Sequence, residues 1–192
     1  MRKATGTVTS EQVETGVATV AVADEPSRDK PMRADARRNY EALVAAAREV
    51  FSTLGSEASM EAIAKQAGVG VGTLYRHFPR RIDVVEAVYR TDVDRLVAQA
   101  DECLTAEDPW AGLVSWLQAF VEYARAKRTF LTELHEAFDK NPQLRVASRE
   151  RIEGALSTVL ARAQRAGAVR ADVDGADVMQ LLGSLCTSAT LT

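Results

Sequence analysis

The sequence predicts an all-α protein, and three observations support this fold class. From Asp35 onward, apolar residues recur at the three- and four-residue spacing of helices along almost the whole chain. Residues that favour helix N-termini precede successive apolar stretches: Ser59, Asp108 with Pro109, Asn141 with Pro142, and Asp174. One strand-like alternation, at Thr15–Ala23, has no evident partner strand elsewhere. We therefore divide the chain into a flexible N-terminal tail (1–34), a three-helix unit (35–81) and a helical body (82–192).

Composition excludes several classes of protein. Of the 192 residues, 46% are hydrophobic and 27% are charged, which excludes a wholly disordered, collagen-like or disulfide-stapled chain. No run of 18 apolar residues occurs, so no membrane span or membrane partner is expected. No apolar signal core follows Met1-Arg2-Lys3, so no secretory signal is expected. The two cysteines, Cys103 and Cys186, fit a reducing cytosol, and we expect a cytoplasmic protein.

Charge is distributed unevenly along the chain. The net charge is −3, yet residues 33–81 carry eight basic and five acidic side chains. Residues 82–192 carry 12 basic and 17 acidic ones. A small basic unit on an acidic body is consistent with a nucleic-acid partner for the basic part.

The helices are predicted one by one from apolar faces and end signals. The first helix ends at Gly55. Its apolar face consists of Leu43, Ala47, Val50, Phe51 and Leu54. The second follows Ser59, buries Ile63, Ala64 and Ala67, and ends at Gly68. The third runs from about Val71 to His77 and is closed by Pro79. In the body we expect helices at about Arg81–Leu104, Asp108–Lys127, Thr129–Asp139, Asn141–Gly167 and from Asp174 onward.

Residues Ser59–Phe78 have the layout of a helix-turn-helix. A first helix and a tight turn at Gly68 lead into a short second helix, which in such motifs enters the DNA major groove. Leu74 and Phe78 lie four residues apart and would fix this helix to the core. Its other face then offers Gly70, Val71, Gly72, Thr73, Tyr75, Arg76 and His77. Tyr and His donate hydrogen bonds to phosphates, and Arg reaches phosphates or a guanine edge.

The segment closely resembles the DNA-binding domain of the TetR (tetracycline-repressor) family of bacterial transcription regulators. The resemblance rests on Ile63-Ala64, Ala67-Gly68-Val69 and the run Gly72 to Phe78, and it extends over residues 36–90. It implies that Tyr75 and His77 contact phosphates and that Thr73 contacts a phosphate or a base edge. It also implies that Arg81 clamps a phosphate, and that Arg37 and Arg38 approach the DNA backbone.

Two residues depart from the family pattern. Gly70 replaces a frequent Ser, which removes a side-chain cap and phosphate contact, and Glu61 places a negative charge where the second helix can approach DNA. Base readout would then rest on Val71, Thr73 and Arg76. We hypothesise that DNA shape supplies much of the specificity.

These residues also allow other interpretations. The glycine-rich run 68–73 lacks the Lys of a nucleotide-binding P-loop and follows a helix rather than a strand. Tyr75 with His77 could be a core pair, and Arg80 with Arg81 could be solvated surface. Nothing assembles a reaction centre, a metal site or a cofactor site, so we expect neither an enzyme nor a cofactor.

The resemblance further implies a pocket in the body for an unknown small-molecule inducer. Candidate lining residues are Trp116, Phe120, Tyr123, Phe130, His135, Phe138 and Met179. Pocket lining and core packing use the same residue types, so packing remains an alternative for each of them.

The function that the resemblance implies is a ligand-responsive regulator, usually a repressor. A homodimer would place two recognition helices in successive major grooves of a near-palindromic operator. The alternative is a helix-turn-helix protein-interaction module, or a ligand-binding module without specific DNA binding. The family dimerises mainly through its last two helices, and the sequence ends after what resembles the first of them. We therefore expect either a truncated dimerisation region or a different dimer contact.

Overall fold

A computed structural model describes residues 29–188, with side chains from residue 35 to residue 186 apart from Ser56. These residues form eight α-helices: α1 Asp29–Leu54, α2 Met60–Gln66, α3 Val71–His77, α4 Arg81–Thr105, α5 Pro109–Arg128, α6 Leu131–Lys140, α7 Pro142–Arg165 and α8 Gly175–Ser188. A 3-10 turn, Gly55–Glu57, separates the first two helices. The described part of the chain contains no β-strand, and the all-α prediction is confirmed.

The first helix is longer than predicted. It begins at Asp29 rather than at Asp35, so residues 29–34 are helical, whereas the sequence predicts a flexible tail there. Pro31 did not prevent this, because N–H groups in the first turn of a helix have no partner within the helix. At the other end, Leu54 is 45% exposed instead of buried, since it is the last residue before Gly55 turns the chain. The alternation at Thr15–Ala23 lies outside the described residues.

The predicted helix caps are confirmed. Ser59 Oγ accepts a hydrogen bond from the Ala62 N–H at 3.1 Å, which satisfies one of the free donors of α2. Asp108 accepts from two backbone N–H groups at the start of α5, and Asn141 Oδ1 accepts from the Leu144 N–H at 3.3 Å. At the start of α8, Asp174 Oδ1 accepts a hydrogen bond from the Asp177 N–H at 2.7 Å. The side chains that favour helix N-termini therefore predicted correctly where these four helices begin.

Helix α4 belongs to both halves of the molecule. Its first turns contribute Val84, Val85 and Val88, all fully buried, to the core that α1 and α2 form around Phe51 and Ile63. Further along, α4 packs against α5, α6 and α7. The buried side chains of the two halves make one continuous cluster. The three-helix unit and the body are thus held together through α4.

None of the helices in residues 29–188 combines the length and apolarity needed to cross a bilayer.

Candidate nucleic-acid interface

The turn between α2 and α3 is fixed by its backbone. Gly68 has a φ of 69°, in the left-handed region where a side chain would be strained. The Val69 N–H donates to the Ala64 carbonyl at 3.1 Å, and the Gly68 N–H donates to the Lys65 carbonyl at 3.1 Å. These two bonds satisfy the free carbonyls at the end of α2 and turn the chain into α3.

Helix α3 has one buried face and one exposed face. Leu74 is fully buried and Phe78 is 4% exposed, so these two residues hold α3 against the core as the spacing predicted. The residues predicted to contact DNA lie together on the remaining surface. Gly70, Val71, Gly72, Tyr75 and Arg76 are exposed there, whereas Thr73 and His77 are half-buried along its edge.

Tyr40 on α1 extends this surface, and the sequence analysis missed it. Its ring lies edge-on to the His77 ring at 6.3 Å and contacts the Phe78 ring at 5.2 Å. The His77 ring is thereby oriented by two aromatic neighbours. Arg37 precedes Tyr40 by one turn, and both Arg37 and Arg38 are exposed. Arg37 Nε lies 3.5 Å from Glu41 Oε1, and the Arg38 guanidinium donates a hydrogen bond to Asp35 Oδ1.

Arg81, for which the family resemblance implied a phosphate contact, has partners within the protein in this structure. Its Nε donates to Glu133 Oε1 on α6 at 3.0 Å, and its Nη1 donates to the Ala58 carbonyl. The guanidinium also lies over the Phe51 ring, 5.0 Å from the centroid. The side chain is only 26% exposed. The guanidinium is therefore surrounded by groups of α1, α6 and the segment before α2.

Other cations of the basic unit are also neutralised internally. Arg48 Nε lies 2.8 Å from Asp92 Oδ1, and Arg80 is hydrogen-bonded to Asp83, which holds the pKa of that carboxyl below its ordinary value. By contrast, Lys65 and Arg76 are exposed and have no carboxylate within ion-pairing distance among the described residues. Unpaired positive charge is therefore left near α3, where a phosphate backbone would lie. Glu61 is exposed on α2, as its place in the sequence indicated.

A cavity of about 570 Å³ lies in the body, between residues of α4, α5, α6, α7 and α8. Four of the predicted pocket residues line it: Phe120, Tyr123, Phe138 and Met179. Lining residues that sequence reasoning missed include Tyr89, Lys127 and Arg145. Burial raises the pKa of the Tyr123 hydroxyl and lowers that of Lys127.

The other three predicted pocket residues lie elsewhere. Trp116 is fully buried and its Nε1 donates to the Leu96 carbonyl at 3.1 Å, so it is a core residue. Phe130 packs on Phe51 at the junction of the two halves, with ring centroids 5.4 Å apart. His135 is exposed on α6. Within residues 29–188, no group of three His, Cys, Asp or Glu side chains is placed to hold a metal ion.

Comparison with solved structures identifies the family. A TetR transcriptional regulator from Streptomyces coelicolor, SCO0520, is 35% identical, with a TM-score of 0.69; the match covers 77% of this chain and 85% of that one. A TetR regulatory protein from Mycobacterium vanbaalenii is 39% identical, with a TM-score of 0.68, over 80% of this chain and 92% of that one. The chain belongs to the TetR family.

Sequence comparisons agree with this assignment. The family model for bacterial regulatory proteins of the TetR family matches residues 43–88, and that for the SbtR-like transcriptional regulator C-terminal domain matches residues 108–192. The HTH-type transcriptional regulator UidR of Escherichia coli is 27% identical over 155 residues, 79% of each chain. This TetR-family chain is therefore a DNA-binding transcription regulator rather than an enzyme.

Proposed function

We propose that this regulator is a ligand-responsive repressor that binds a near-palindromic operator as a homodimer in the bacterial cytoplasm. The observation that carries the proposal is the position of α4. Its first turns pack against the three-helix unit, and Tyr89 further along the same helix lines the body cavity. A ligand in the cavity thus contacts the helix that positions the exposed face of α3. We call this face, formed by residues 70–73 and 75–77, the DNA-reading surface.

On the DNA side, α3 supplies the contacts. Tyr75 and His77 would bind phosphates, while Val71, Thr73 and Arg76 would meet base edges. Gly70 and Gly72 carry no side chain, and open space surrounds the position of a Cβ at both, so the backbone can approach the groove closely. Arg37 and Arg38 on α1 would contact the flanking backbone. The exposed carboxylate of Glu61 weakens the electrostatic attraction between the protein and the DNA phosphates. This is consistent with the hypothesis that DNA shape contributes part of the sequence specificity.

A homodimer is supported by the size of α3 and by α8. A recognition helix of seven residues buries little surface, and two copies spaced by one helical turn of DNA would multiply the contact. On α8, Leu181 and Leu185 lie one turn apart and are 62% and 55% exposed. Large apolar side chains exposed side by side are typical of protein contacts.

The response to ligand follows from linkage. A ligand that binds better when the two DNA-reading surfaces are wrongly spaced lowers operator affinity. The operator must weaken ligand binding by the same factor. The displacement would pass along α4, because its packed core couples the two ends.

The test is fluorescence anisotropy with DNA from upstream of the gene, over a salt series from about 50 to about 200 mM. We expect the wild type to lose affinity as salt rises, because phosphate contacts release counterions. We expect Tyr75→Phe and Arg76→Gln to weaken binding, Arg76→Gln by about 1–3 kcal/mol because it loses a contact with a base edge. Arg170→Gln is the matched control, because Arg170 is exposed and pairs with Asp172 far from α3. Binding that is insensitive to salt and to both α3 substitutions would favour the protein-interaction alternative.

A further inference from the structure

The charged residues that line the body cavity are all basic. Lys127 projects from α5, and Arg145 and Arg149 project from α7 one turn apart. No Asp or Glu is among the residues that line this cavity in the described part of the chain. A cavity with cations and no counter-charge of its own attracts an anion.

Lys127 is the most buried of these three cations. It is half-buried, and its Nζ lies 5.5 Å from the centroid of the Tyr123 ring. Burial is the main cause of its lowered pKa; Cys186 acts in the opposite direction, and the positive charge of Arg145 adds a smaller lowering. Among residues 35–186, no carboxylate lies within ion-pairing distance of Lys127 or of Arg145. Two neighbouring cations without a counter-ion repel each other, and a bound anion would relieve that repulsion.

Arg149 differs from its neighbour in already having a partner. Its Nε lies 2.6 Å from Glu153 Oε1, one turn further along α7. This carboxylate neutralises Arg149 and leaves Lys127 and Arg145 as the lining cations without an ion pair among the described residues. The guanidinium of Arg145 offers a planar set of donors, and the ammonium of Lys127 offers a point charge.

The rest of the cavity is aromatic and apolar. Tyr89 and Phe138 meet edge to face with centroids 5.3 Å apart, and Phe120 lies 5.9 Å from Tyr123. Ile152 and Met179 add aliphatic surface. A volume of about 570 Å³ accommodates a small molecule with an apolar body of one or two rings or a comparable chain.

We infer that the effector is an amphiphilic anion, whose carboxylate, sulfonate or phosphate group binds Lys127 and Arg145 while its apolar body packs among Tyr89, Phe120 and Phe138. This inference deepens the proposed function, since it rests on the cavity being the effector site. It excludes cationic ligands, and it makes a neutral analogue of the same shape a poor substitute.

The test compares two fluorescent probes that share an anilinonaphthalene body. One, 1-anilinonaphthalene-8-sulfonate, carries an anionic group, and the other, N-phenyl-1-naphthylamine, is neutral. Each is titrated into the full chain, into Lys127→Gln and into Arg145→Gln. Lys140→Gln is the control, because Lys140 is exposed and pairs with Glu136 outside the cavity. We expect each cavity substitution to weaken the anionic probe about tenfold, and the neutral probe less than about twofold.

Equal weakening of both probes, or no weakening of either, would overturn the inference. Arg145 is exposed, so Arg145→Gln decides the matter even where Lys127→Gln lowers the melting temperature. Operator anisotropy with and without the anionic probe separates this inference from the repressor proposal. Charge-selective probe binding in a protein that fails to bind its operator would contradict the repressor proposal alone. Operator binding without charge selectivity in the cavity would contradict only the inference about the ligand.

Discussion

Arg81 at the start of α4 is joined to Glu133 on α6, with Nε 3.0 Å from Oε1, across 52 residues of sequence. The same guanidinium donates to the Ala58 carbonyl just before α2 and lies over Phe51 on α1. One side chain therefore connects the three-helix unit to the body at the start of α4, the helix that they share. Glu133 and Arg81 are both 26% exposed, so water screens this pair less than it screens the surface pairs.

We predict that Arg81→Gln lowers the free energy of unfolding by about 1–3 kcal/mol, because charge-assisted bonds to a carboxylate and a buried carbonyl are lost. Arg80→Gln is the control next to it, since Arg80 is exposed and, among the described residues, its ion pair is with Asp83 in the first turn of α4. Its effect should be much smaller. Urea unfolding followed by circular dichroism measures both.

The same pair of variants tests the inward arrangement of Arg81 on DNA. If the guanidinium stays with Glu133, Arg81→Gln leaves the slope of log Kd against log salt unchanged. A slope that falls by about 0.9 would show that Arg81 contacts a phosphate when DNA is bound.

Local chemistry made the helices predictable. The bounds of α3 agree with the prediction from Val71 to His77, because Gly70 and Pro79 delimit that helix. The caps at Asp108 and Asn141 located α5 and α7 for the same reason. Such signals act within four residues, and a single sequence displays them directly.

Contacts between distant helices could not be predicted in this way. Periodicity assigns Trp116 and Phe120 to one stripe, yet only the packing of α4 against α5 makes Trp116 core and Phe120 cavity lining. A charged residue such as Lys127 resembles any solvated position until neighbouring helices enclose it. Arg81 is bonded to Glu133, which lies 52 residues further along the chain, and local sequence spacing cannot predict a contact between such distant residues.

Two glycines in the body should respond to alanine in opposite directions. At Gly112 on α5, a Cβ would lie 2.5 Å from the Cys103 backbone carbonyl oxygen. Backbone must move to relieve this overlap, and we expect Gly112→Ala to lower the free energy of unfolding by about 1–3 kcal/mol. At Gly154 on α7 a Cβ meets open space, and Gly154→Ala should raise the free energy of unfolding by about 0.5–1 kcal/mol through helix propensity.

Denaturant midpoints of the two variants decide this prediction. Both substitutions add the same methyl group inside a helix, so the difference between them isolates the contact with Cys103. Two variants with midpoints on the same side of the wild-type value would contradict the close approach of α5 to the end of α4.

The two tryptophans provide a second contrast between core and surface. Trp116 is fully buried and hydrogen-bonded to the Leu96 carbonyl, whereas Trp110 is 50% exposed. We predict that Trp116→Phe costs about 1–3 kcal/mol of stability, from lost volume and the lost bond. Trp110→Phe should change stability by less than about 0.5 kcal/mol. Because the chain has two tryptophans, Trp110→Phe also leaves Trp116 as the single tryptophan, whose emission is excited selectively at wavelengths where tyrosine does not absorb. Its emission should shift to the red on unfolding, and an unshifted spectrum would argue against burial.

Asp92 gives the stability of the protein an unusual dependence on pH. It is 5% exposed, with Arg48 at 2.8 Å and Arg95 at 3.8 Å, and burial raises its pKa above the ordinary value. A carboxyl with a raised pKa binds its proton more tightly in the folded state. The stability gained from that proton is complete below the ordinary pKa of 3.8 and is lost as the pH rises through the raised value.

Asp92→Asn cannot ionise, so the stability of the wild type relative to this variant should fall as the pH rises above about 4. Asp83 provides the opposite case, because its hydrogen bond with Arg80 lowers its pKa. That stabilisation is present above the ordinary pKa and is lost as the pH falls through the lowered value. The wild type should therefore lose stability relative to Asp83→Asn below about pH 4. Urea unfolding of the three proteins from about pH 3 to about pH 8 measures both slopes, and a rise with pH for Asp92 would show that its arginines outweigh its burial.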